Sequence, residues 1–315
     1  MTLLNQKHIT FHVGMPKSAS TTIQRYLCQA APNAYLGHEN NTLLSQDFLQ
    51  VVRGVELDLG SLSKRVNDFM QKRSWIFSSE FAVSYWTPLS SAYPQDVATI
   101  AGRLYTMAPH ANIVLVVRNP LKMLESLFAQ LLFNESFALS PAKISFVEWI
   151  DKNIQLHEKG WPSAFDLLNY PRILRAYGKF ENVQIYFFEE VSKDFANFMN
   201  KDFIPSSQIE VDFKFQEEIS NKRHTRGSIS AKRHMTKLLK KTKQYFPALA
   251  ASIPKNGRLK FHVYWQRMAD KLPGGLLKPK YRTDQMTWLQ SYFSACYSDL
   301  PYDIQEKAKA MGYPI

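Results

Sequence analysis

Hydroxyl side chains and one lysine are concentrated in a short segment that follows the first strand-like run of the sequence. Residues 14–24 read GMPKSASTTIQ and lead from Ile9–Val13 into a helical pattern. A tight strand–loop–helix connection directs backbone N–H groups and the positive end of a helix dipole at one point, which favours a phosphate-like anion. The alternative is a hydroxyl-rich start of an ordinary helix beside a solvated lysine. The side-chain donors that would join an anion site are Lys17, Ser18, Ser20, Thr21 and Thr22.

This segment departs from the Walker A sequence of nucleoside-triphosphate kinases. In that motif a Gly-Lys-Ser/Thr triplet stands at the start of the helix, and the hydroxyl binds Mg²⁺. Here Lys17 comes early in a shorter loop, and Pro16 rather than glycine precedes it. The sequence therefore disfavours a nucleoside-triphosphate kinase.

A second cluster of anion-binding residue types follows the apolar run 113–117. Arg118 comes directly after the run, and Lys122 and Ser126 are four residues apart on the helix that is predicted next. The arginine fork matches the geometry of a phosphate group, so we predict a second phosphate site here. The alternative is an arginine that pairs with an acid such as Glu125, with Ser126 at the surface of the helix.

One carboxylate also stands at a predicted strand end. Glu80 follows the strand-like run Trp75–Ser79. Facing a pocket, it could take a proton from a reacting hydroxyl as a general base. For a single glutamate the competing interpretation is a helix-start acid or an ion-pair partner.

The elements that must position these residues read as an α/β fold. Strand-like runs at Ile9–Val13, Trp75–Ser79, 113–117 and 183–187 alternate with longer helical patterns. The run IVLVV at 113–117 is apolar at every position, as expected for a strand that is covered on both faces. We therefore predict a P-loop-like, doubly wound parallel sheet flanked by helices, which binds ligands at the carboxyl ends of its strands.

Two helices are predicted directly after the anion-binding segments. The first buries a stripe with spacing i, i+3, i+4 and i+7, and the second is capped by Asn119 with Pro120 at its first position. The stripe of the first helix comprises Ile23, Tyr26, Leu27 and Ala30, and that of the second comprises Leu121, Leu124, Phe128 and Leu131.

Composition limits the class of protein. The chain has 315 residues, of which 45% are hydrophobic and 21% charged, and no apolar run approaches the ~20 residues that cross a bilayer. No signal-peptide pattern precedes the first strand, so we expect a soluble, cytoplasmic protein. Cys28 and Cys296 are too few for a disulfide framework, and no Cys/His cluster has metal-ligand spacing. We therefore expect no metal.

The positive charge is concentrated in one stretch. The net charge is +12, and residues 219–269 contain 13 Lys or Arg and no Asp or Glu, which leaves a net charge of about −1 for the rest of the chain.

We divide the chain into an α/β core, 1–220, and a basic, mostly helical region, 221–315, packed on that core as part of one domain. The part from Lys222 to Lys243 is a candidate for contact with an acidic polymer or a membrane surface, or for a lid over the site. The alternative is a solvated charged helix.

Taken together, the three strand ends resemble the sulfotransferases that use 3′-phosphoadenosine 5′-phosphosulfate (PAPS), especially the bacterial and carbohydrate-modifying branch. The family's 5′-phosphosulfate loop, G-x-P-K-[ST]-G-[ST]-T, is similar to residues 14–21. Its 3′-phosphate motif, an arginine at a strand end with a serine eight residues on, is similar to Arg118 and Ser126. A weaker similarity covers 183–194, and the whole resemblance spans roughly residues 8–200.

The resemblance implies PAPS as co-substrate, no metal, and an acceptor hydroxyl, expected on a carbohydrate or glycolipid. It implies that Lys17 and Glu80 are catalytic, with Lys17 stabilising the leaving group and Glu80 acting as base. Relatives that act on phenols use a histidine instead, for which His12 and His38 are the candidates. The cofactor-binding residues that it implies are Pro16, Lys17, Ser18, Ala19, Ser20, Thr21, Thr22, Arg118 and Ser126.

The chain departs from the family pattern at three places. Ala19 stands where the family has a glycine, so a methyl group must fit close to the phosphosulfate. Phe188 replaces a tyrosine near the end of the fourth predicted strand. The family's C-terminal Arg-Lys-Gly clamp has only a faint counterpart at Arg226 and Gly227. Three alternative functions stay open: a nucleotide kinase, a non-catalytic nucleotide binder, and a nucleic-acid binder that uses the basic stretch.

Overall fold

The computed structural model describes residues 9–15, 18–37, 43–53, 58–70, 73–83, 96–133, 145–212, 214 and 280–315. Its centre is a five-stranded sheet with the order β2-β3-β1-β4-β5, in which every pair is parallel. The architecture is the predicted α/β class with a parallel sheet. The strands are β1 Ile9–Val13, β2 Tyr35–Leu36, β3 Trp75–Ser79, β4 Asn112–Val117 and β5 Asn182–Phe187.

The four predicted strands are all present, and β4 and β5 each begin one residue earlier than expected. The sequence prediction missed β2, because two residues are too short to show a strand period. Every residue of β1, β3 and β4 is buried, which fits strands that are covered on both faces.

Helices cover both faces of the sheet. The described α-helices are α1 Ser20–Ala30, α2 Leu43–Arg53, α3 Leu59–Met70, α4 Val97–Met107, α5 Pro120–Phe133, α6 Phe146–Glu158, α7 Tyr170–Tyr177, α8 Phe188–Val191, α9 Phe195–Asn197, α10 Ile204–Ser207, α11 Thr283–Tyr297 and α12 Tyr302–Ala310. Short 3₁₀ turns lie at Glu80–Ala82 and Ala164–Leu168, and a π-helical turn lies at Phe198–Phe203.

The two faces of the sheet have separate hydrophobic cores. On one face α1 packs through its predicted stripe, which is buried, against Val114 and Val116 of β4. On the other face Leu124 and Phe128 of α5 pack with Ile113 and other residues of the same strand. Helices α1 and α5, which follow the two anion-binding segments, therefore lie on opposite faces.

The C-terminal helices belong to the second of these cores. Leu289, Phe293 and Tyr297 of α11 are fully buried in the cluster that contains α5 and α6. Asp151 of α6 forms an ion pair with Arg282, at 3.0 Å, where the described chain resumes. The division at residue 220 stays a prediction, because the basic stretch lies outside the described residues.

Candidate functional site

The turn after β1 is closed by hydrogen bonds to one carbonyl. The Met15 carbonyl accepts from the Ser18 N–H at 3.2 Å and from the Ser20 hydroxyl at 2.9 Å. The Gly14 N–H donates to the Ser79 carbonyl of β3 at 3.1 Å. A Cβ on Gly14 would lie 2.8 Å from the Ser20 Oγ, so the turn needs glycine there. The intervening residues Pro16 and Lys17, both predicted site residues, lie outside the described part of the chain.

Ala19 has a backbone conformation that favours glycine. Its φ of 66° and ψ of 5° are left-handed, and it is the residue that precedes α1. The Ala19 carbonyl accepts from the N–H groups of Thr22 and Ile23, at 2.9 and 3.1 Å, which starts the helix. The amides before them at the helix start have no acceptor within the helix and are available to an anion. A glycine at this position would adopt the same conformation without strain.

The hydroxyls of this turn differ in their surroundings. The Ser18 side chain is fully buried, and its Oγ has no hydrogen-bond partner among the residues that the structure describes. Thr21 and Thr22 are partly exposed in the first turn of α1. A buried donor without a partner is costly unless a ligand supplies an acceptor. The donor set of the turn therefore fits a phosphate or sulfate oxygen.

Arg118 lies at the carboxyl end of β4 and is mostly buried, with 7% exposure. Its guanidinium carbon lies 4.6 Å from the ring centre of Phe188, a cation–π contact that holds the side chain on an aromatic face. Phe188 thus contacts the arginine through its ring. A guanidinium in this position can bind a phosphate through two parallel hydrogen bonds.

The first turn of α5 forms as predicted. The Asn119 Oδ1 accepts from the N–H groups of Leu121 and Lys122, at 3.1 and 3.3 Å, and Pro120 is the first helical residue. Lys122 is exposed and pairs with Glu125 at 3.5 Å. Ser126 is partly buried on the same helix. Because Asn119 directly follows Arg118, the capped start of α5 lies at the same edge of the sheet as Arg118.

The strand order makes the two turns neighbours. β1 and β4 pair directly, with Val13 opposite Leu115, so the turn at Gly14 and the turn at Arg118 begin within roughly 10 Å of each other. The chain leaves β1 for a helix on one face and β4 for a helix on the other. In parallel α/β proteins, ligands bind where neighbouring strands diverge in this way, at the carboxyl ends of the strands.

Glu80 lies at the carboxyl end of β3, the strand that pairs with β1 on the side away from β4. It begins the 3₁₀ turn directly after β3 and is partly exposed. The preceding residue, Ser79, is opposite Val13 in the sheet and accepts the hydrogen bond from Gly14. All three predicted strand ends therefore lie at one edge, in the strand order β3-β1-β4.

His12 is a packed histidine. It is fully buried in β1, with its Nδ1 hydrogen bonded to the Ser78 Oγ at 2.7 Å and its ring edge-on to Phe203. Burial lowers the pKa of His12 to about 3, so the ring is neutral at physiological pH. A proton-accepting role at the surface of the site does not fit this position. His38, the other candidate, lies outside the described residues.

Sequence reasoning missed the residues that hold the Arg118 turn in place. The Glu189 carboxylate accepts from the Asn119 N–H at 2.9 Å and from the Tyr313 hydroxyl at 3.0 Å. Tyr170 contacts the backbone of Arg118 itself. Glu189 follows β5 after one residue, so the rule that marked the other strand ends could have found it. No local pattern marks Tyr170 or Tyr313.

Several predictions concern residues outside the described part of the chain, among them Arg226, Gly227 and the basic stretch from Lys222 to Lys243. Within the described ranges, no group of three or more His, Cys, Asp or Glu could hold a metal ion. Of the helices described, none combines the length and the apolar character that a bilayer crossing requires.

The described residues form a parallel α/β protein in which two turns with candidate anion-binding residues follow neighbouring strands. No family model matches the chain, and no curated protein matches it. Among solved structures, the chain is similar to the crystal structure of a sulfotransferase from Alicyclobacillus acidocaldarius. The identity is 17%, the match covers 81% of this chain and 100% of that chain, and the TM-score is 0.46.

Proposed function

We propose that the chain is a sulfotransferase that takes the sulfuryl group of PAPS to an acceptor hydroxyl. The observation that carries the proposal is the direct pairing of β1 with β4, which brings the turn at Gly14 beside the turn at Arg118. A nucleotide with phosphate groups at both its 5′ and 3′ positions needs two anion sites at such a separation. The donor set of each turn supports one end of that nucleotide.

The 5′ end is assigned to the turn after β1. The buried Ser18 hydroxyl, the side chains of Thr21 and Thr22 and the first amides of α1 would bind the phosphosulfate oxygens. The hydroxyl of Ser20 is already used by the Met15 carbonyl, so its part would be to hold the turn closed. Lys17 keeps the role that the family resemblance implies, a cation on the leaving phosphate, and Pro16 stays among the residues expected to bind the cofactor.

The 3′ end is assigned to Arg118 and Ser126. The guanidinium on the ring of Phe188 would bind the 3′-phosphate, and Ser126 would donate from the second turn of α5. These two residues would distinguish PAPS from nucleotides that lack a 3′-phosphate.

The reaction needs a base beside the phosphosulfate. PAPS supplies the sulfuryl group; the acceptor oxygen forms the new S–O bond while the S–O bond to the 5′-phosphate breaks. Glu80, next to the turn after β1, would take the acceptor's proton. Lys17 and the amides of the turn would stabilise the charge that develops on the leaving phosphate. A carbohydrate or glycolipid hydroxyl is the acceptor that the family resemblance favours.

Calorimetry with 3′-phosphoadenosine 5′-phosphate (PAP), AMP and ATP, with and without Mg²⁺, tests the proposal. We expect PAP to bind more tightly than AMP, with no requirement for Mg²⁺. Tight binding of ATP that requires Mg²⁺ would point to a kinase instead. Heparin and DNA binding without any nucleotide heat would point to a nucleic-acid or polymer binder.

Replacement of the arginine sharpens this test. Arg118→Ala should weaken PAP by about 10–100-fold and AMP much less, since a charged hydrogen bond is lost only with the 3′-phosphate. Arg175→Ala is a matched control, because Arg175 is an exposed arginine that pairs with Asp299 on the surface. Equal losses of PAP and AMP affinity in Arg118→Ala would contradict the assignment.

A further inference from the structure

Three tyrosine hydroxyls support the short turn that presents Arg118, two by direct contact and one through a carboxylate. The first belongs to Tyr170, a fully buried residue of α7 whose hydroxyl accepts from the Arg118 N–H at 3.3 Å and donates to the Arg118 carbonyl. The second belongs to Tyr281, whose hydroxyl donates to the Leu121 carbonyl at 2.8 Å. Tyr281 lies at the start of the C-terminal segment 280–315, far from this turn in sequence.

The third hydroxyl acts through a carboxylate. Tyr313 donates to one oxygen of Glu189 at 3.0 Å, and the other oxygen accepts from the Asn119 N–H at 2.9 Å. The Asn119 Nδ2 in turn donates to the Gly312 carbonyl at 2.8 Å. These bonds form a closed ring of four residues around the peptide that follows Arg118.

Two of the four residues in this hydrogen-bonded ring are buried, whereas Glu189 is partly buried and Gly312 is exposed. Tyr313 is 5% exposed and Asn119 6% exposed, and the Tyr313 ring packs edge-on against Phe187 at 5.6 Å. Buried hydrogen bonds with a charged partner hold their geometry more firmly than exposed ones. The backbone on both sides of Arg118 is therefore held by groups that lie far from it in the sequence.

Two neighbouring residues of the chain connect this ring to the guanidinium. Phe188 contacts the Arg118 side chain, and Glu189, the next residue, contacts the Asn119 backbone. A shift of the segment 188–189 would therefore move the aromatic surface and the arginine turn together. The hydroxyl of Tyr313 ties this segment to the C-terminal part of the chain, and the next residue, Glu190, adds an exposed ion pair with Lys307 at 3.2 Å.

We propose that Tyr313, acting through Glu189, is a positioning residue for Arg118, so that the C-terminal segment 280–315 completes the site for the 3′-phosphate. This inference rests on the proposed function. Tyr313 itself need not touch the nucleotide: its hydroxyl fixes Glu189 on the Asn119 N–H and keeps Phe188 under the guanidinium. Placement within a fraction of an ångström decides whether an arginine binds a phosphate through two bonds.

Phenylalanine substitutions separate positioning from general stability. Tyr313→Phe removes only the hydroxyl that bonds Glu189. Tyr297→Phe is the matched control, because Tyr297 is a buried tyrosine of the same segment whose hydroxyl donates to the Leu168 carbonyl at 2.9 Å and not to the Arg118 turn. Its ring stacks on Tyr170, and phenylalanine keeps that ring. Tyr281→Phe is a second test variant, since its hydroxyl bonds the same turn at Leu121.

The measurement is calorimetric titration of each full-length variant with PAP and with AMP, together with a thermal melt. We expect Tyr313→Phe to weaken PAP by roughly five- to tenfold and AMP by less than about twofold. Tyr281→Phe should change the ratio of the two affinities in the same direction, and Tyr297→Phe should leave that ratio at the wild-type value. If Tyr313→Phe fails to fold, the ratio of PAP to AMP affinity in Tyr281→Phe decides whether the C-terminal segment positions Arg118.

Two negative results have different meanings. A wild-type protein that binds PAP no better than AMP refutes the proposed function, and this inference with it. A wild-type protein that prefers PAP, with the same preference in Tyr313→Phe, refutes only the positioning role. An equal loss of preference in Tyr297→Phe also refutes it, because the effect would then be a general loosening of the fold.

Discussion

At the scale of single residues, the turn after β1 shows how closely backbone geometry limits side-chain choice. Gly14 has no room for a Cβ beside Ser20, whereas Ala19 carries a Cβ in a left-handed conformation that most residues avoid. An alanine there costs about 1–2 kcal/mol relative to a right-handed backbone. The cost persists because the turn must close between β1 and α1.

Replacing Ala19 with glycine should therefore stabilise the protein. Ala19→Gly relieves the left-handed strain, and after the greater entropy of glycine in the unfolded chain is subtracted we expect a gain of about 0.5–1 kcal/mol in the free energy of unfolding. Ala295→Gly, at an exposed position of α11, should instead cost about 1 kcal/mol. Urea denaturation measures both, and an equal loss in the two variants would show that Ala19 is not strained.

Glu80 is the residue whose replacement should affect turnover alone. Glu80→Gln keeps the size of the side chain but removes its ability to take a proton, so we expect sulfuryl transfer to fall by about 10²–10⁴-fold with PAP affinity nearly unchanged. Glu181→Gln is a suitable control, since Glu181 is exposed at the opposite edge of the sheet, just before β5. Wild-type turnover in Glu80→Gln would exclude Glu80 as the base.

At the scale of elements, β1 combines an apolar face with a polar one. Ile9, Phe11 and Val13 pack in the core on the α5 side, whereas Thr10 and His12 face α1. The His12 ring has one hydrogen bond, to Ser78, and its Nε2 is buried without a partner among the described residues. Such a histidine must stay neutral for the sheet to remain packed.

The pH dependence of stability should reveal this histidine. Because burial lowers the pKa of His12 to about 3 from an ordinary value near 6.5, the unfolded chain takes up a proton in that window and the folded chain does not. Stability should fall by about 1.4 kcal/mol for each pH unit below roughly 6.5 and should not depend on His12 above it.

His12→Asn isolates this contribution. The variant loses stability at pH 8, but its deficit relative to the wild type should shrink as the pH falls from 6.5 towards 5, because asparagine does not titrate. Urea unfolding at several pH values measures the difference. A deficit that stays constant from pH 8 to pH 5 would mean that the pKa of His12 is the same in the folded and the unfolded protein.

At the scale of the whole molecule, the C-terminal segment is built into the core of the sheet. Phe293 is fully buried, contacts the rings of Phe165 and Tyr297, and belongs to the same cluster as α5 and α6. The segment therefore contributes to the stability of the part that carries the candidate site.

Truncation of this aromatic side chain should destabilise the whole described core. We expect Phe293→Ala to cost about 3–5 kcal/mol, as buried phenylalanines do, while Tyr302→Ala, at a residue with 77% exposure, should stay within about 0.5 kcal/mol. Circular dichroism and tryptophan fluorescence should report one coincident transition. A separate early transition in Phe293→Ala would show that segment 280–315 unfolds independently.

Local patterns in the sequence were sufficient for four of the five strands and for the helices that follow the two anion-binding segments. Four strands, the α1 stripe, the Asn119 cap and the first turn of α5 follow from side-chain period and capping, which depend on residues a few positions apart. The same local logic marked 14–21, Glu80 and Arg118 as candidates, because each follows its own strand.

Tertiary structure alone decided which strand ends are neighbours and what supports them. The pairing of β1 with β4 joins residues about a hundred positions apart, and the bond from Asn119 to Gly312 spans 193 positions. No local periodicity encodes such contacts, because they depend on how whole helices fill the two faces of the sheet. The left-handed backbone at Ala19 and the support of Arg118 by Glu189 and Tyr313 are consequences of that packing.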